Sequence, residues 1–209
     1  IEATTKLTRQ FINSASISAE AYIANLLTTA ISGTIEGEAL NGPGTSKRAK
    51  GLFKYVANDG INVLSLGTNG GNPTWAQIVS MTGMVDTKNA PDDTRSWLLN
   101  PTTVAYFQSL PKVSGQPVFV LGDSGTIASY PYASTSRVPN DLEKGDGENL
   151  SAAAFGAWSE MLVSLFSGID LYLDPFSSQP HVNVTAAIDY DVQIAHLESF
   201  AICLDLKTV

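Results

Sequence analysis

Three clusters carry the side chains best suited to chemistry. Gly122-Asp123-Ser124-Gly125 matches the local signature around the nucleophile of trypsin-like proteases, in which a serine attacks a carbonyl and backbone N–H groups hold the oxyanion. That chemistry takes a histidine base and an orienting aspartate from upstream of the serine, whereas both histidines here, His181 and His196, follow it. A tight Asp-Ser-Gly turn accounts for the same residues, and a hydrolase using Ser124 stands only as a lesser alternative. Asp189 and Asp191, two apart, would share one face of a strand and could form an acid/base or calcium pair. No further ligand lies near them, so solvent or an arginine of a neighbouring subunit is the expected partner. His196, in Val192-Gln-Ile-Ala-His-Leu197, reads as a hydrogen-bonded core or edge residue, and His181 as a solvated residue of a polar turn.

The remaining motifs are weaker. Gly42-Pro-Gly-Thr-Ser-Lys47 lacks the spacing of a phosphate-binding loop and follows a helix where such a loop follows a strand. Gly67–Gly71 has no dinucleotide fingerprint. Cys203 is the single cysteine, which excludes an intramolecular disulfide, and its apolar neighbours mark it as an inert buried thiol. No Cys/His metal cluster is present. Asn149-Leu-Ser151 and Asn183-Val-Thr185 match glycosylation sequons, relevant only to a secreted chain. No catalytic, cofactor-binding or metal residue is therefore assigned.

The elements that must position these residues begin with an alternating strand, Ala3–Phe11, and a long helix, Ser16–Leu40. Ser16 or Ser18 can cap the helix, and Ala19, Tyr22, Ile23, Leu26, Leu27, Ala30, Ile31 and Ile35 recur at spacings of three and four as one apolar stripe. Such a helix of roughly 22 residues is about 33 Å long. Asn41-Gly-Pro-Gly44 ends it. The basic cluster Lys47-Arg-Ala-Lys50 precedes a short strand or turn, Gly51–Val56. A loop, 67–73, ends with Asn72 as expected N-cap and Pro73 at the first helical position. The second helix carries Trp75, Ile78, Val79 and Val85, and Asn89-Ala-Pro-Asp-Asp93 ends it. Ser96–Leu99 reads as a buried strand, and Asn100-Pro101 starts a third helix through Val104, Phe107 and Leu110. Strand-like runs follow at Val118–Leu121 and Ile127–Tyr132, then an exposed loop at Pro139–Asn149. Strands are expected at Ala152–Trp158, Met161–Phe166, Ile169–Leu173, Val182–Tyr190 and Phe200–Leu206. Early helices and late strands define an α+β arrangement.

The 209 residues carry a formal net charge of −8, which argues against gripping phosphate backbones or anionic membranes. A chain of this length buries about 70% of its unfolded surface. No apolar run reaches the roughly 18 to 20 residues of a membrane span, and no signal peptide opens the chain. Beginning at Ile1 inside a strand, it reads as a processed or shortened form.

In order, Thr8-Arg9-Gln10 entering the long helix, Ala39-Leu-Asn-Gly-Pro-Gly-Thr45, Leu98-Leu-Asn-Pro-Thr102, Ala186–His196 and Phe200–Leu206 resemble segments of the tailed-phage major capsid proteins of the Hong Kong 97 type. Pro43 replaces the usual aspartate of that family's Leu-Asn-Gly-Asp-Gly-Thr turn. The resemblance implies a spine helix with two lobes: residues 1–45 plus 159–196 peripheral, and 46–158 plus 197–209 axial. It implies a structural, non-enzymatic protein that self-assembles through pentamers and hexamers into an icosahedral shell around DNA. A scaffold or prohead protease would be a partner, without sequence-specific nucleic-acid binding or membrane contact. Location in the virion and assembly in the bacterial cytoplasm follow from the same resemblance. It further implies that the family's N-terminal arm and extended loop would lie before or around Ile1. Some relatives cross-link by an isopeptide bond; there Asp189 aligns with the acid, but Val182 rather than Asn183 aligns with the asparagine, so that chemistry is not assigned. An encapsulin-like nanocompartment shell is the alternative of the same fold.

Overall fold

The computed structural model describes residues 1–8, 10, 17–122, 125–174, 176–177 and 181–208. β1 (Glu2–Thr8) alternates exposed and half-buried residues, as a strand covered on one face must. Helix α1 (Ile17–Asn41) follows; at 25 residues it is about 37 Å long. Its proposed cap Ser16 lies outside the described residues.

The apolar stripe of α1 is divided. Ile23, Leu27, Ile31 and Ile35, one turn apart, pack on Val184, Ala186 and Ile188 together with Ala3 and Leu7 of β1. Tyr22 and Leu26, expected in the same stripe, face solvent at 62% and 52% exposure. They sit a further 100° round the helix, beyond the width of the sheet beneath. The hydroxyls of Thr28, Thr29 and Thr34 donate to carbonyls four residues back at 2.8 Å.

At the end of α1 the chain folds back on itself. Gly42 N donates to Glu38 O and Gly51 N to Gly42 O, at 2.8 and 2.9 Å. A side chain at Gly42 would come within 2.3 Å of Ala49 O, and one at Gly51 within 2.4 Å of Gly42 N. These are close backbone approaches that only glycine permits. The expected strand or turn at 51–56 is a 3-10 turn, Leu52–Lys54, that buries Leu52 and Phe53.

A seven-stranded sheet holds most of the core. It contains β2 (Asn62–Leu64), β3 (Arg95–Leu99), β4 (Thr126–Ile127), β5 (Tyr130–Ser134), β6 (Leu142–Lys144), β7 (Gly147–Ala157) and β12 (Phe200–Leu206). The order is β2-β12-β7-β3-β5-β4, with β6 paired to β7. One face packs Trp97, Phe155 and Cys203 against α2 (Trp75–Asp86) and α3 (Pro101–Ser109), which contributes Phe107. The other packs Leu52, Phe53, Phe200 and Ile202 with Leu40 of α1.

Several expectations are corrected. The N-cap of α2 is Thr74, not Asn72. The Thr74 hydroxyl accepts from Gln77 N while Thr74 N donates to Gln77 Oε1 at 2.9 Å, a capping box that places Pro73 outside the helix. Val118–Leu121 is not a strand; Val120 and Leu121 donate to Leu110 O and Phe107 O and are buried against the end of α3, while Val118 and Phe119 stay exposed. Ile127–Tyr132 is interrupted by Ala128 and Ser129, both at positive φ, the two-residue turn that joins β4 to β5. The expected loop 139–149 contains β6 and the start of β7, turned at Gly145. Val182–Tyr190 is two strands, β10 (His181–Ala187) and β11 (Tyr190–Ile194). By contrast, Asn100 caps α3 as expected, accepting from Thr102 N at 3.0 Å ahead of Pro101.

Candidate assembly surfaces

Residues 161–194 form a two-armed ribbon. One arm is β8 (Met161–Leu165) and β9 (Asp170–Asp174); the other is β10 and β11. Leu165 pairs with Tyr190 and Asp170 with Ala187. Four residues, 166–169, therefore oppose two, 188–189, in a bulge that bends the ribbon. β10 continues onto β1, whereas β9 ends its sheet and β8 pairs only with β11.

That β8–β9 arm is an edge, and it is apolar. Val163 and Leu165 lie opposite Val192 and Tyr190, and Leu171 and Leu173 opposite Ala186 and Val184. All four sit on the face that α1 covers further in, yet they overhang it; Leu173 is 71% exposed and Phe176, beyond β9, 81%. Phe166 and Ile169 extend the row through the bulge. Natural sheet edges are blunted by lysines, prolines or bulges; here one bulge is present and no Lys or Arg occurs in 161–194, only Asp170, Asp174, Asp189 and Asp191. Two smaller apolar exposures are Tyr22 with Leu26 on α1, and Val113, Val118 and Phe119 after α3.

Among the described residues the chemically suggestive ones do not converge. Gly125 N donates to Gly122 O at 3.2 Å, while Asp123 and Ser124 lie outside the described residues. Asp189 sits in the bulge and Asp191 at the start of β11, both exposed on the side away from buried Ile188 and Val192. His181 opens β10 half-buried rather than lying in a solvated turn. His196 is 74% exposed on its side chain and pairs with Glu160, Nδ1 to Oε2, at 2.6 Å. This pair spans the two segments that join the ribbon to the large sheet, where Ala195 N also donates to Glu160 O at 2.8 Å. They border an open cleft of about 620 Å³ that Ser199 and Lys88 also line. Ser199 N donates to His196 O at 3.1 Å, a backbone contact that leaves the His196 ring on Glu160, and Lys88 pairs with Glu198 at 3.5 Å. Among the described residues no group of three or more His, Cys, Asp and Glu could hold a metal ion, and no helix is long and apolar enough to cross a membrane.

Two buried polar groups in the large sheet are structural. Asp205 is 2% exposed and accepts from Leu66 N at 2.9 Å, Ser65 Oγ at 3.2 Å, Lys144 Nζ at 2.6 Å and Cys203 Sγ at 3.2 Å. Burial pulls its pKa up, but the Lys144 ammonium and the other donors outweigh that and hold it below the usual carboxylate value. Burial pushes the Cys203 thiol up to about 12, which fits the inert reading from sequence. On the ribbon, burial raises the Tyr190 phenol, helped by nearby Glu38.

A long spine helix under a bent ribbon, joined to a broad sheet and edged by exposed apolar side chains, defines the Hong Kong 97-like capsid fold. The model of the phage capsid family matches residues 1–203, and the chain belongs to that family; it is a structural major capsid protein. Among solved structures, the capsid of a native GTA particle is similar at 16% identity, covering 99% of this chain and 72% of that one, with a TM-score of 0.77. Mycobacterium phage Ogopogo gives 16% identity, 98% and 74% coverage, and a TM-score of 0.64. The holo-SrpI encapsulin of Synechococcus elongatus gives 12% identity, 100% and 74% coverage, and a TM-score of 0.66. No curated protein sequence matches the chain significantly.

Proposed function

We propose that the chain assembles with copies of itself into a closed icosahedral head of pentamers and hexamers that encloses DNA, as a component of the virion. The observation that carries this reading is the family match over nearly the whole chain. Shell-forming proteins must bury apolar edges against their own copies, and the uncovered β8–β9 arm supports that requirement. Residues 1–45 plus 159–196 act as a peripheral lobe and 46–158 plus 197–209 as an axial lobe. The separate core under α1, distinct from the two cores of the large sheet, supports this division. The work is done by contact area and needs no catalytic residue.

The encapsulin likeness keeps one second reading in view, a shell around a protein cargo. Electron microscopy of particles from the full-length protein, with nuclease protection of their contents, tests both. Uniform shells holding nuclease-protected DNA are expected; shells holding a protein cargo instead would favour the encapsulin reading, and a strictly monomeric full-length protein would overturn self-assembly.

A further inference from the structure

We infer that the apolar β8–β9 edge docks on the basic turn at residues 43–56 of a second copy of this chain. The inference rests on the shell reading above and names one contact within it.

The edge demands a partner. Its exposed large apolar side chains run from Leu162 to Phe176 on both faces of the arm, with Leu173 and Phe176 the most exposed, unlike the singly scattered apolar exposures of an ordinary monomer.

Charge selects which face of the second copy covers it. The ribbon 161–194 carries four aspartates and no Lys or Arg. Two ribbons meeting edge to edge across a two-fold axis would bring like charges together, which costs affinity. The opposite composition occurs at 43–56, which holds Lys47, Arg48, Lys50 and Lys54, a third of the chain's basic residues, and no acid. Arg48 and Lys50 are engaged by Glu38 and Asp59. Lys47 and Lys54 are exposed and have no partner among the described residues, and Val56 beside them exposes 54% of its surface. An apolar residue flanked by free ammonium groups complements the outer face of the arm, where exposed Leu162 and Tyr172 lie with Asp170 and, opposite Ser164, Asp191. Because the two patches differ, the contact is head to tail, and such contacts close into rings or shells where a two-fold contact stops at a dimer.

Charge reversal in the full-length protein tests the contact. Asp170→Lys with Asp191→Lys makes one variant, Lys47→Glu with Lys54→Glu a second, and the four changes together a third. All four positions are exposed, and an unchanged melting curve checks that each variant folds. Either pair alone is expected to raise the concentration needed for assembly by about tenfold or more, and the combined variant to recover it. Single-pair variants that assemble like the parent, or a combined variant as defective as each pair, would overturn the contact. Independently, carbodiimide treatment of assembled parent particles should join the ribbon aspartates to Lys47 or Lys54 in peptides found by mass spectrometry; assembled particles lacking that link would refute it. If the parent itself never assembles, the shell reading fails; if it assembles and the reversals have no effect, only this contact fails.

Discussion

Replacing Asp205 with alanine tests how the large sheet is held together where β12, the end of β2 and β6 meet. The carboxylate is 2% exposed and takes four hydrogen bonds, whereas the Lys144 side chain opposite remains 39% exposed. Its loss leaves the Leu66 N–H without its acceptor, at about 1–3 kcal/mol for an unsatisfied buried donor, and Lys144 without its counter-charge. Breaking a buried pair from one side costs on the order of 3–5 kcal/mol. Because these contributions overlap, and Lys144 can turn towards water, the expected loss is about 3–4 kcal/mol. Asp205→Asn keeps an acceptor for Leu66 N and should lose roughly half as much. Urea unfolding followed by tryptophan fluorescence measures it, since Trp75, Trp97 and Trp158 all pack in the cores of this sheet. The folded pKa of Asp205 is depressed, so the unfolded state binds its proton first as pH falls. Its contribution is complete above the unfolded value of about 4 and is lost as pH drops through the lower folded value. The parent should therefore lose stability in that acid window more steeply than Asp205→Asn. A loss below about 1 kcal/mol for Asp205→Ala, with parallel acid profiles, would refute the reasoning.

Gly156 on β7 faces Phe200 so closely that a Cβ there would lie 2.3 Å from Phe200 Cδ1 and 2.8 Å from Ser199 O. Gly156→Ala should cost about 1–3 kcal/mol by overpacking, a drop of roughly 3–10 °C in thermal melting. Cys203 is fully buried and its thiol titrates near 12, so a thiol reagent at pH 8 should label it only after urea unfolds the sheet; rapid labelling of the folded protein would contradict the packing.

Much of this fold is legible in the sequence where one local signal dominates. The Asn100-Pro101 start of α3 is set by a side-chain acceptor and a fixed φ, both local. The α1 spine and its glycine-bounded exit are likewise local. The α2 start was misplaced because Thr74-x-x-Gln77 forms a capping box that competes with the Asn72-Pro73 signal. The 118–121 run looks like a strand because two side chains buried against a helix end, Val120 and Leu121, follow two exposed apolar ones, and the string alone does not separate them. The acidic stretch before Asn149 hides β6 because a solvent-facing hairpin needs little apolar content. The assembly edge reads from sequence simply as two strands, Met161–Phe166 and Ile169–Leu173. Hydrophobicity cannot distinguish a side chain covered by its own chain from one that only a neighbour can cover. Tyr22 and Leu26 join the apolar stripe of α1 in the sequence for the same reason.

β12 lies between β2 and β7, pairing parallel to the first and antiparallel to the second. Residues 62–64 and 147–157 are thus translated long before the strand that separates and joins them, 200–206. A nascent chain interrupted before that point has no seam between β2 and the rest of the sheet, and its Phe155 and Leu52 cores stay open. The central placement of a late strand therefore works as a completeness check: fragments from abortive synthesis cannot finish the wedge, and a shell that must close without gaps excludes them.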